Sequence, residues 1–117
     1  MDNVLELARK LGQEIRGSER YRLLREAEKG ALGDPEARKI QDDLEKQLQK
    51  IRDLELAMKP IEVADKHEFS RLQELAARHP GLQVLLKAQT DYFEMMNKVN
   101  NAILMELAPD EPSGDGD

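Results

Sequence analysis

The side chains best suited to acid–base or metal chemistry are His67 and His79, the two histidines among 117 residues. Neither stands in a Glu-x-x-His or His-Glu-x-x-His arrangement, the spacings that carry a carboxylate-bridged metal pair or a hydrolytic zinc. Both are therefore read as surface or helix-end residues. Asp42, Asp43 and Glu45 are close in sequence, but adjacent positions on a helix point in different directions. They read as a solvated face rather than an acid/base pair. There is no Gly-rich phosphate loop, no serine-nucleophile motif and no dinucleotide fingerprint. Cysteine is absent, which excludes disulfides, thiol nucleophiles and cysteine-ligated clusters and fits a reducing compartment. No catalytic residue, cofactor or metal site is expected, and the residues argue against an enzyme.

Binding chemistry has one basic concentration to draw on: Arg9, Lys10, Arg16, Arg20, Arg22 and Arg25. An RNA backbone or an acidic partner is the natural ligand for such a face. Glu14, Glu19, Glu26 and Glu28 are interleaved with it, however, and cancel most of the local field, so an ordinary mixed-charge face is expected. The chain carries a net charge of −6, which repels nucleic acid unless positive charge is gathered in one place. An RNA-binding accessory role through the Arg9–Arg25 face is kept as the alternative.

The positions most informative about association lie in the last helical stretch, from Pro80 to Ala108. Written in heptads, Leu86, Phe93, Asn100 and Leu107 share one seam position, and Leu82, Gln89, Met96 and Ile103 share the other, the pattern of a coiled coil. A second strip of Leu85, Tyr92 and Val99 with Ala88, Met95 and Ala102 runs beside it. Together they span an arc of about 200°, too wide for one neighbouring helix to cover. Leu85, Tyr92, Phe93, Met96, Val99, Asn100 and Ile103 are the expected self-association or partner interface. Gln89 and Asn100 are polar within the apolar arc, and Asn100 is expected to fix register or pairing, as a lone buried Asn does in coiled coils.

The elements that position this helix read in order. Asp2 or Asn3 caps a first helix with Val4, Leu7, Ala8, Leu11 and Ile15 on one face. Gly17 interrupts it and Ser18 caps a second, whose face of Tyr21, Leu24, Ala27, Ala31 and Leu32 contains small residues. Asp34-Pro35-Glu36 opens a third with a capping acid, proline at the first position and a second acid. This helix is expected to run to Lys59, before Pro60, with Ala37, Ile40, Leu44, Leu48, Ile51, Leu54 and Met58 as its stripe. Asp34/Arg38, Asp42/Lys46 and Glu55/Lys59 supply supporting ion pairs. Residues 60–64 read as a connector, and Asp65 with Glu68 as a capping box for a shorter helix facing inward through Phe69, Leu72, Leu75 and Ala76. His79-Pro80-Gly81 turns the chain into the last helix.

No stretch alternates with period two, so no sheet is expected. The prediction is an all-α domain of five helices over residues 1–108, an antiparallel bundle that self-associates. Residues 109–117, PDEPSGDGD, read as a disordered acidic tail. Helices of roughly 37 and 43 Å overhang what so short a chain can cover, and a second copy is the simplest cover. No run reaches the roughly 18 apolar residues of a membrane span, and the acidic N-terminus has no signal core, so a cytoplasmic protein is expected.

Gly17-Ser18-Glu19-Arg20-Tyr21 after a first helix, Asp34-Pro35-Glu36-Ala37 opening a long one, and a final His79-Pro80 helix ending Lys98-Val99-Asn100-Asn101-Ala102-Ile103 resemble the YlbF/YmcA/YheA family of small bacterial helical proteins. The resemblance extends to about Leu107. It implies an all-helical, self-associating cytoplasmic protein without enzymatic activity. It also implies a regulatory adaptor role, as in members that act with partner proteins in competence, sporulation and biofilm control and with a membrane-associated ribonuclease in RNA processing. Some members carry iron–sulfur clusters on cysteines; with none in this chain, that cofactor is not carried over, and the functionally undefined YheA-like branch fits as well.

Overall fold

A computed structural model describes residues 2–109. Five helices follow one another: α1 (Asp2–Arg16), α2 (Glu19–Leu32), α3 (Pro35–Leu56), α4 (Val63–Arg78) and α5 (Pro80–Leu107). Among the described residues there is no strand. The expected disordered tail falls, beyond Pro109, outside the described residues.

The caps explain most of the boundaries. Ser18 is extended, and its hydroxyl accepts from the Tyr21 N–H, closing the start of α2. Asp34 Oδ1 accepts from the N–H groups of Glu36 (2.9 Å) and Ala37 (3.3 Å), with Pro35 at the first position of α3. The end of α3 departs from expectation. The helix stops at Leu56 rather than Lys59, because Met58 turns left-handed with φ of 57°. Lys59 N–H then bonds Leu54 C=O at 2.8 Å and Met58 N–H bonds Glu55 C=O at 3.0 Å, the paired bonds of a Schellman stop. The start of α4 also differs. It begins at Val63, capped by Glu62 without a side-chain bond, so Asp65 is not a cap and the Asp65/Glu68 capping box does not form.

Packing follows the small residues. α2 runs antiparallel to the first half of α5, with Arg20 beside Asp91 and Glu94 at one end and Ala31 near Leu85 at the other. α3 and α4 pair antiparallel. The core is Ala27, Ala31, Ala37, Ile40, Leu82, Leu85 and Ala88, flanked by Leu24, Leu44 and Ala76. Alanines at the α2–α5 and α2–α3 contacts let the backbones approach closely. From α4, Leu72 is fully buried, whereas Leu75, expected inside, keeps 39% of its surface exposed.

The described helices do not close on themselves. The radius of gyration is 20.5 Å, where a compact domain of this length has about 13 Å. Solvent-accessible area is 9322 Å², against about 6,500 Å² for a compact monomer of this mass. Counting nine residues as if fully solvated removes about 1,400 Å² of the excess and leaves at least as much again.

Candidate functional site

Three helix ends meet at His79. It ends α4, its N–H bonding the carbonyls of Leu75 and Ala76, and it caps α5, its Nδ1 accepting from Gly81 N–H (3.1 Å) and Leu82 N–H (3.3 Å). An Nδ1 that accepts two bonds carries no proton, so in the neutral ring the proton is on Nε2. Nε2 lies 3.2 Å from Asp34 Oδ2 and 3.6 Å from Glu36 Oε1, at the start of α3. The extended backbone of His79 is what the following proline requires. Gly81 leaves room for this ring, since a Cβ there would sit 3.1 Å from it, tighter than an ordinary contact.

Ligand-type atoms of Asp34, Glu36 and His79 lie within 4.8 Å of one another, so a cation must be considered. Binding one at Nε2 would displace its proton to Nδ1, into the face of two N–H donors, and cost both cap bonds. The donor set is thus committed to joining three helix ends. His79 fulfils the helix-end expectation, and its link to α3 was invisible in the spacing. His67 is exposed on α4.

A second polar junction ties α3 to α4. Asp65 is 7% exposed. Its Oδ1 lies 2.7 Å from Lys50 Nζ, and Gln47 Nε2 donates to its backbone carbonyl at 3.0 Å. The hydrogen bond from Lys50 holds the Asp65 carboxyl below its ordinary range, and Asp65 in turn raises the Lys50 ammonium. Each charge is matched, and nothing here is free to move a proton to a substrate. An open groove of about 660 Å³ runs between α3, α4 and α5, lined by Leu44, Ala76, Leu82, Leu85 and Leu86. Its two charged residues, Lys87 and Asp91, pair with each other at 3.0 Å. No acid/base pair converges in it.

The α2 part of the basic run is neutralised: Arg22 pairs with Glu26 (2.7 Å) and Glu19 (3.7 Å), Arg25 with Glu28 (2.8 Å), and Arg20 with Glu94 (3.1 Å) on α5, whereas Arg9, Lys10 and Arg16 of α1 form no ion pair among the described residues. Arg20 also donates to the Asp91 carbonyl, so it serves the α2–α5 contact. The ion pairs expected on α3 are not the ones formed: Asp34 caps the helix and reaches His79, while Lys39 pairs with Asp43 at 3.0 Å.

What remains uncovered is apolar. α1 buries none of its residues, and Val4 and Leu7 are 67% and 65% exposed. On α5 the expected interface residues divide. Leu85 belongs to the core and has no surface to offer. Tyr92 is half-buried with its ring 6.0 Å from that of Tyr21, and Met96 and Val99 are half-buried. Phe93, Asn100 and Ile103 are exposed. Leu86, Phe93 and Leu107, which share the Asn100 seam position, are 61–72% exposed. One seam position, Leu86, Phe93, Asn100 and Leu107, is therefore the uncovered line; the other is covered over its first half, with Leu82 in the core and Gln89 and Met96 half-buried, as the second strip is against α2. Past Val99, α5 is exposed on every side, Leu104 and Met105 included. Among the described residues no helix is long and apolar enough to cross a membrane.

Residues 4–108 match a family model described as "Control of competence regulator ComK, YlbF/YmcA". A relative, the UPF0342 protein OB1136 of Oceanobacillus iheyensis, is 24% identical over 114 residues that span 92% of each chain. The match runs over nearly the whole of the five helices described above, from Val4 in α1 to Ala108 after α5: this chain belongs to the YlbF/YmcA family.

Proposed function

We propose that this chain is a non-enzymatic, cytoplasmic regulatory adaptor, which self-associates as a helical bundle and works by presenting helix faces to partner proteins. The observation that carries the proposal is the uncovered line of α5 formed by Leu86, Phe93 and Leu107, with Asn100 as its one polar member. A monomer exposing that stripe together with the α1 face pays a standing solvation penalty, which association removes. The family description, control of a competence regulator, supports the regulatory part. The chemistry points the same way: the two charged residues lining the groove between α3, α4 and α5 pair with each other, and the arginines of α2 spend their charge on glutamates of the same chain.

The test is affinity capture from the native cell with the wild-type chain and with Phe93→Asp/Ile103→Asp. The expected result is a defined set of proteins, including untagged copies of the chain, held by the wild type and lost from the variant. Identical capture by both would refute the seam as the working surface. Conversion of any small molecule by the purified chain would refute the non-enzymatic reading.

A further inference from the structure

We propose that a trough crossing α2, α3, α4 and α5 receives a short amphipathic helix of a partner protein, apolar along the face that enters and acidic at the end that reaches Lys29; this rests on the adaptor reading above and names the partner's chemistry. The groove of about 660 Å³ between α3, α4 and α5 does not stop at Gln41 and Gln89. A second depression of about 360 Å³, between α2, α3 and α5, shares both of them and Leu85, so the two form one trough. α2 and α4 each pack on α5, which puts them at most two interaxial spacings apart, about 20 Å. About 13 residues of helix span that distance.

The two ends of the trough differ in chemistry. Towards α4 the floor is Leu44, Ala76, Leu82 and Leu86, and the Lys87–Asp91 pair leaves no net charge there. Towards α2 the lining holds Arg25, Glu28 and Lys29. Arg25 and Glu28 pair at 2.8 Å, while Lys29 is exposed and makes no ion pair among the described residues. The trough thus has one surplus positive charge, at one end, on a chain of net charge −6; the complement is an apolar face with an acid at one end. Midway, Gln41 and Gln89 are half-buried. The amides of Gln47 and Gln83 donate to carbonyls, whereas those of Gln41 and Gln89 make no hydrogen bond among the described residues. Each offers a donor and an acceptor to polar side chains flanking the incoming apolar face. Other occupants fit less well. The trough is open along its length, whereas a small-molecule site encloses most of its ligand. Residues 110–117, DEPSGDGD, are acidic but hold no apolar side chain to lay on the leucines.

The probe is a display library of peptides about 14 residues long, with leucine fixed at i, i+3, i+4 and i+7 and every other position free, selected on the full chain at low salt. Overlapping peptides of this chain's own sequence are displayed beside it. The expected result is enrichment of foreign sequences with Asp or Glu in one terminal turn. Lys29→Glu should weaken a resynthesised winner about tenfold, since the pair is lost and a repulsion added, and a fresh selection on that variant should turn the preferred end basic. Leu86→Asp should abolish selection. Lys29 and Leu86 are both exposed, and unchanged helicity by circular dichroism confirms that the variants fold. No enrichment, no charge preference at either end, or an acidic end kept on Lys29→Glu overturns the assignment. So does stronger binding by a peptide of the chain itself, which would make the trough a contact between copies. These results leave the adaptor reading standing where Phe93→Asp/Ile103→Asp loses the captured partners; identical capture by that variant and the wild type removes the adaptor reading whatever the library selects.

Discussion

Replacing His79 with Ala should be among the most damaging single changes outside the apolar core. It removes the acceptor for two N–H groups at the start of α5, a cap worth about 1 kcal/mol within a range of 0.5–2. It also removes the link from Nε2 to Asp34, a charge-assisted bond whose partly exposed carboxylate reduces it to about 1 kcal/mol. Leu82 N–H is buried and would be left without its partner, so the total is about 2–3 kcal/mol. With a urea slope of about 1.5 kcal/mol per M, the midpoint should fall by about 1.3–2 M at fixed protein concentration. His79→Asn separates the two parts. Asn caps well but is too short to reach Asp34, so about 1 kcal/mol should return. A midpoint for His79→Ala within 0.3 M of wild type, or an Asn variant no better than Ala, would refute the three-ended junction.

Other changes test other parts of the structure. Met58→Gly should stabilise the chain by about 0.5–1 kcal/mol, because Met58 is exposed at positive φ and has no contact to lose; a lower urea midpoint would contradict the Schellman stop. Gly81→Ala should destabilise by pushing the His79 ring off its cap, and His79→Asn should relieve part of that loss in the double variant. Asp65 titrates below its ordinary range when folded, so its contribution is complete above the unfolded value of about 3.9 and disappears as pH falls through the lower folded value. Asp65→Asn should accordingly be less stable than wild type at pH 7, the two converging below about pH 4; a constant difference down to pH 2 would contradict the Lys50 pairing. Asn100→Leu should change the mass or the register of the assembly, read by sedimentation and by the cross-linking pattern, and an unchanged result in both would remove Asn100 as a register residue.

The beginnings of helices were legible in the chain, and their ends less so. Ser18 and Asp34-Pro35-Glu36 state a start in side-chain chemistry that acts within three residues, and the structure uses both. The stop at Leu56 depends on a left-handed Met58, where glycine or asparagine would have announced it; the visible signal, Pro60, lies further on. Asp65 misled for a related reason. Asp followed by Glu three residues later resembles a cap, yet the carboxylate is used by Lys50 and Gln47 of another helix, a long-range choice that local spacing does not record. His79 was legible as a helix-end residue because Pro80 follows it, and its bond to Asp34 needed the third dimension. The heptads of α5 did not divide covered from uncovered positions, since Leu82 of one seam position is buried with Leu85 and Ala88 of the second strip, and spacing alone left open which line the chain itself covers. α2 settles that by lying along Leu85, Ala88 and Tyr92, which leaves the Leu86–Phe93–Asn100–Leu107 line outside.

The claim beneath the rest is that this chain is finished only in company, because α1 and the far half of its longest helix hold more apolar surface than its own helices cover. Sedimentation equilibrium of the untagged wild-type chain from 1 to 100 µM measures this directly. The account predicts a mass at twice the 13.4 kDa of one chain, or a larger closed multiple, falling to the monomer value when Phe93 and Ile103 are both changed to Asp. A single-chain mass across the whole range, with the wild-type chain fully helical, would contradict it.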